Sequence, residues 1–160
     1  MRYARNSDPQ YYIDNYRYAN CGSYALRVEG WYDADEFFEN RYGDIFDWID
    51  NCYYNGWSND EMSEFYADVL VGGILDEFEN ELRLLNDEDD ELFEGEELIA
   101  FRTYAGADEW EDYDFDFHFK VYRDGCWREK MGWCPCEECT LEDWGKYISS
   151  TTYFAHKIVA

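Results

Sequence analysis

From Tyr113 to Tyr122 the chain alternates without interruption: Phe115, Phe117, Phe119 and Val121 fall on one side, and Asp114, Asp116, His118, Lys120 and Tyr122 on the other. A two-residue period held over that length specifies a strand with one apolar face. Asp124-Gly125 then supplies a hairpin turn, so Trp127 to Met131 is expected to return antiparallel beside the His118 strand. Upstream, Glu97 to Tyr104 reads as a further strand and Gly106 to Asp112 as an acidic turn; Thr152 to Val159 reads as a closing strand.

The first half has a different period. Apolar spacing predicts helices over about 22–32, 35–50 and 59–85. The third opens with Ser58 and Asn59 as cap candidates and carries a stripe from Met62 through Phe65, Tyr66, Val69, Leu70, Ile74, Phe78 and Leu82 to Leu85. Gly72-Gly73 within it marks a kink or a close helix contact. Thr140 to Tyr147 reads as a short helix, with Thr140 and Asp143 at capping-box spacing. Residues 1–19, rich in Tyr and Asn and carrying Arg2, Arg5 and Arg17, show no period and read as an irregular N-terminal arm. The sum is a single α+β domain over residues 1–160, with a helical N-terminal half followed by a small antiparallel sheet.

The segment Asn20-Cys21-Gly22-Ser23-Tyr24 opens the first helical pattern, with Tyr24, Ala25, Val28 and Trp31 on one face. Cys21 is therefore expected to cap a buried helix, where amide groups and the helix dipole stabilise a thiolate. A cysteine nucleophile also needs a base, and the chain offers only His118 and His156. His156, in the closing strand, reads as a packed or surface residue. The plain alternative for Cys21 is a small buried core residue.

Charge narrows the partners. With 38 acidic and 13 basic residues the formal charge is −25. Such a field repels nucleic acid and anionic membranes and suits a basic partner. Asp87, Glu88, Asp89, Asp90, Glu91, Glu94, Glu96 and Glu97, joined by Asp108, Glu109, Glu111, Asp112 and Asp114 with Trp110 and Tyr113 between them, form a candidate acidic interface. No apolar run is long enough for a membrane span and no secretion signal is visible, so a cytoplasmic protein is expected. Its six cysteines are then expected as thiols, metal ligands or catalytic groups, with Cys52 in the core. Cys126, Cys134, Cys136 and Cys139 lie in one short segment; they are candidates for a structural zinc site, or else free thiols or an adventitious disulfide. No other cofactor is expected.

A helix opened by cysteine and followed by an antiparallel sheet carrying histidine resembles the papain-like cysteine peptidases and their compact NlpC-type amidase relatives. More closely, Asn-Cys-Gly-x-Tyr-Ala-Leu at 20–26, Leu-Ile-Ala-Phe-Arg at 98–102, Asp-Phe-His-Phe at 116–119 and Asp-Gly-x-Trp at 124–127 resemble a family of small uncharacterised proteins from phages and gut bacteria. The resemblance implies a papain-like fold, Cys21 as nucleophile and His118 as its general base. Where members of that family often place a further histidine, this chain has Glu129, a carboxylate able to orient the imidazole or simply a surface residue. Two functions are expected. One is a cysteine hydrolase acting on a peptide or amide bond. The other is a catalytically inactive acidic inhibitor that mimics nucleic acid and blocks a basic host-defence protein of the kind that anti-CRISPR or anti-restriction proteins target.

Overall fold

The computed structural model describes residues 9–158. Helices α1 (Pro9–Asp14), α2 (Cys21–Leu26), α3 (Glu36–Tyr42), α4 (Ile45–Tyr54) and α5 (Asn59–Glu77) precede strands β1 (Leu82–Leu85), β2 (Glu96–Ala107), β3 (Tyr113–Arg123), β4 (Cys126–Lys130), β5 (Cys136–Glu138) and β6 (Thr152–Lys157). The strands form one antiparallel sheet in the order β1-β6-β2-β3-β4-β5. The α+β reading thus holds, with helices first and the sheet after.

Local chemistry sets the boundaries. Ser58 and Glu61 form the capping box that starts α5, whose buried stripe is Met62, Tyr66, Leu70 and Ile74. The helix stops at Glu77, short of the expected 85: Asn80 turns left-handed (φ 72°), and Leu82–Leu85 becomes an edge strand against β6. Gly73 is a close contact rather than a kink, since a Cβ there would lie 2.2 Å from the Phe37 ring. The expected helix over 35–50 is two helices, broken where Gly43 (φ 83°) ends α3 and the Asp44 carboxylate accepts from Asp47 N–H to start α4. Within the expected irregular arm, Pro9–Asp14 forms α1 and Tyr16–Tyr18 a 3₁₀ turn; residues 1–8 lie outside the described region, as does Val159 of the closing strand. The Asp124-Gly125 hairpin forms as expected, both residues at positive φ.

The helices cover the face of the sheet that carries Phe101, Phe117, Phe119, Val121 and Phe154, and this shared cluster is the main core. The opposite face is closed by residues 140–151, which place Trp144 and Tyr147 over Ala100. This stretch is not the helix its spacing suggests. The fully buried ammonium of Lys120, reaching through that face, takes the carbonyls of Thr140 and Asp143 as acceptors, with Trp144 4.5 Å above it. A buried cation must be hydrogen-bonded, and carbonyls turned toward it are withdrawn from a helical ladder.

One buried ion cluster ties helix to sheet. Glu97, expected on the acidic surface, is instead only 8 % exposed and forms paired hydrogen bonds with both Arg123 and Arg27. Arg123 in turn donates to the carbonyls of Tyr24 and Ala25 at the end of α2, and Arg27 is itself the left-handed residue (φ 56°) that terminates it. Burial would raise the Glu97 carboxyl, but the two guanidinium groups hold it down at about 2.

Candidate active site

Helix α2 is short and wholly buried. Its cap is Asn20, not Cys21: the Asn20 side chain accepts from Ser23 N–H while the Ser23 hydroxyl accepts from Asn20 N–H. The same amide donates to the Tyr32 carbonyl and accepts from Tyr32 N–H, locking the loop after α2 to its start. Cys21 is consequently the first helical residue, at the turn whose amides lack intrahelical partners. Gly22 lets the helix settle onto the sheet, since a Cβ there would come within 2.7 Å of Tyr32 and 3.2 Å of Phe119. Trp31 lies beyond the left-handed residue that ends α2 and is half exposed.

Cys21 sits on the phenylalanine face and His118 on the opposite one, yet they meet. The reason is an open strand edge. β3 pairs with β2 along Tyr113–Tyr122, but with β4 only from Lys120 to Arg123. Beyond that point β4 swings away, its Lys130 ammonium held by the carbonyls of Ala19 and Gly132. The exposed edge of β3 offers the Phe117 carbonyl to the Cys21 thiol (3.8 Å), and side chains from both faces of the strand border one cavity of about 280 Å³.

There His118, 3 % exposed, has Nε2 bonded to Glu129 Oε1 at 2.8 Å and borders the same cavity as Cys21, which lies near enough to act on the imidazole. With Nε2 taken, Nδ1 is the nitrogen left for Cys21. Glu129 pairs with Lys120 across the hairpin, and His118 is the diagonal neighbour on the same face. Tyr147 stacks on the imidazole at 5.1 Å and 16°, and Trp144 meets it edge-on at 6.0 Å. Burial alone would pull the imidazole down. The adjacent Cys21 and the Glu129 carboxylate more than offset this and push it up to about 9. Glu129 is held below its ordinary range despite burial, chiefly by His118. The Cys139 thiol lies close to Glu129; burial and that carboxylate push it up to about 12.

Cys21, His118 and Glu129 are therefore brought together in one group. His156 is not part of it: it lies on β6, with β2 between it and β3, buried, and is pushed down to about 4 chiefly by that burial. Cys126, Cys134, Cys136 and Cys139 do not converge either. Cys136 pairs with Lys130 and Glu137 with Glu129, so Cys136 shares the helix-side face with Lys130 while Cys139 lies on the Glu129 face. Cys134 is exposed. Among the described residues no three Cys, His, Asp or Glu side chains are grouped to hold a metal ion. Cys52 is in the core, as expected.

Asp87, Glu88, Asp89 and Glu91 are exposed, as are Asp108, Glu109, Trp110, Glu111 and Asp112, with Asp90 partly buried. They flank opposite ends of the 12-residue β2, a strand about 36 Å long, so they are two separate acidic regions. Among the described residues no helix is long and apolar enough to cross a membrane. Four residues that shape the cavity are not marked as site residues by the sequence: Tyr147 and Asp116, whose side chains are joined by a 2.8 Å hydrogen bond, and Tyr66 and Asp35. The i, i+3 spacing of Trp144 and Tyr147 imitates a helix face, and a loop that folds back over a sheet leaves no periodic signal. No family model, no curated protein and no solved structure matches the chain.

Proposed function

We propose that the protein is a papain-like cysteine hydrolase that cleaves a peptide or amide bond. The observation that carries this reading is Cys21 and His118 together at the wall of one cavity, with Glu129 bonded to the far nitrogen of the imidazole and the imidazole raised to about 9. A nucleophile hydrogen-bonded to a base, and the base oriented by a third group, is the arrangement that acyl transfer requires.

In the reaction the Cys21 thiolate attacks the acyl carbon and the carbonyl electrons move onto oxygen. The Cys21 amide, at the unpaired start of α2, is the nearest backbone donor for that oxyanion. His118, protonated at both nitrogens, gives its Nδ1 proton to the leaving amine as the carbon–nitrogen bond breaks, which leaves a thioester. Water then attacks the thioester with His118 as base, releasing the carboxylic acid and the thiol. Glu129 and the stacked Tyr147 keep the ring in plane throughout, and Glu129 stabilises the imidazolium.

p-Nitrophenyl acetate supplies an acyl group without assuming a natural substrate. A burst of nitrophenolate, stoichiometric with protein, is expected, with acetyl trapped on Cys21 in peptide maps and no burst in Cys21→Ala. Acetylation no faster at Cys21 than at the exposed Cys134 would sink the reading.

A further inference from the structure

The cavity beside Cys21 carries an unbalanced set of groups. Asp33, Asp35 and Asp116 all line it. Asp116 is already engaged: it accepts from the Tyr147 hydroxyl at 2.8 Å and pairs with the Lys146 ammonium at 3.2 Å. Among the described residues neither Asp33 nor Asp35 has a cationic partner. The Asp35 carboxyl lies above its ordinary range because of burial and of the neighbouring Glu39 and Asp33. On the same wall Tyr66 is 0 % exposed, and its hydroxyl, among the described residues, has no hydrogen-bond partner. A buried hydroxyl without a partner costs free energy unless something fills the place.

We propose that this cavity binds a cationic side chain of the substrate, the ammonium of lysine or the guanidinium of arginine, with Asp33 and Asp35 as counter-charges and the Tyr66 hydroxyl as acceptor for one of its N–H groups. Half-exposed Trp31 and Met131 at the cavity rim give the aliphatic stem of such a side chain an apolar surface to lie along. The inference rests on the hydrolase reading only in calling the bound group part of a substrate. The cation site itself stands on these residues.

The test separates the two. Nα-acetyl-lysine methylamide and its norleucine counterpart are titrated into the Cys21→Ser variant and followed by amide chemical shifts, a readout that needs no reactive thiol. The lysine compound is expected to shift residues around Asp35, Tyr66 and Phe117 and to bind about tenfold more tightly than the norleucine one, with the difference lost in Asp33→Asn/Asp35→Asn and reduced in Tyr66→Phe. Asp33→Asn alone, at an exposed position, should retain the fold and weaken the preference. Equal or absent binding of the two compounds, or a preference unchanged by the aspartate substitutions, would overturn the cation site. In the wild type, Cys21 should also be alkylated faster by 2-bromoethylammonium than by neutral iodoacetamide, relative to the exposed Cys134 as a reference within the same overall field. Slow iodoacetamide alkylation with intact lysine binding would count against the hydrolase and leave the cation site standing.

Discussion

His118→Ala is expected to slow alkylation of Cys21 by iodoacetamide at neutral pH by about 100-fold, the low end of what a positioned acid–base group contributes. The thiol lies at the edge of β3 with the Phe117 carbonyl on one side and His118 on the other, and the imidazole is the adjacent positive charge, with the Lys130 ammonium acting on Cys21 as well. Removing the imidazole takes away the positioned acid–base group and leaves the sulfur beside a carbonyl in a cavity lined by aspartates. Glu129→Gln should have a smaller effect in the same direction, because the amide still orients the ring but no longer stabilises its charge. Quantitative mass spectrometry of the alkylated peptide, with Cys134 as internal reference, gives both rates. Equal rates in wild type and His118→Ala would mean that the pair is packing and nothing more.

The second large effect concerns the support of the site. Glu97→Ala is expected to destabilise the protein by about 3–5 kcal/mol, since it leaves the Arg27 and Arg123 charges buried without their counter-ion. It also frees the end of α2, whose Tyr24 and Ala25 carbonyls accept from Arg123, so Cys21 reactivity should fall with stability. The pH dependence follows from the depressed carboxyl. Its stabilising contribution is fully present above the ordinary value of 4.5 and is lost as pH falls toward about 2. Urea unfolding at pH 7 and at pH 3 should therefore show the wild type losing stability toward acid by more than Glu97→Ala loses. A variant as stable as the wild type at pH 7 would show that the cluster is not an anchor.

How much of this was legible in the sequence depends on whether a residue's role is set locally. The Phe115 to Val121 alternation fixed both the strand and the face on which His118 lies, and Asp124-Gly125 fixed the hairpin. Those signals are carried by adjacent residues. Glu97 reads from its neighbours as one more acid in a charged run, and only its pairing with arginines 26 and 70 positions away makes it a core residue. Leu82 and Leu85 continue the period of α5 although Asn80 has already turned the chain into a strand. Thr140 to Tyr147 has helical spacing, but its carbonyls are claimed by Lys120, an interaction that no local pattern announces. Cys21 and His118 were each identifiable, whereas their meeting depends on β4 leaving β3 early, which the strand pattern alone does not reveal.

The chain contains only two histidines, so a proton NMR titration of their ring signals isolates the pair on which the proposed chemistry depends. His118 should titrate near 9 in the wild type, because Cys21 and Glu129 stabilise its charged form, and His156 near 4. In Cys21→Ser the His118 midpoint should fall and that of His156 should stay. A His118 midpoint near the ordinary 6.5, or one that Cys21→Ser leaves unmoved, would contradict the coupled Cys21–His118 pair and with it the proposed hydrolase.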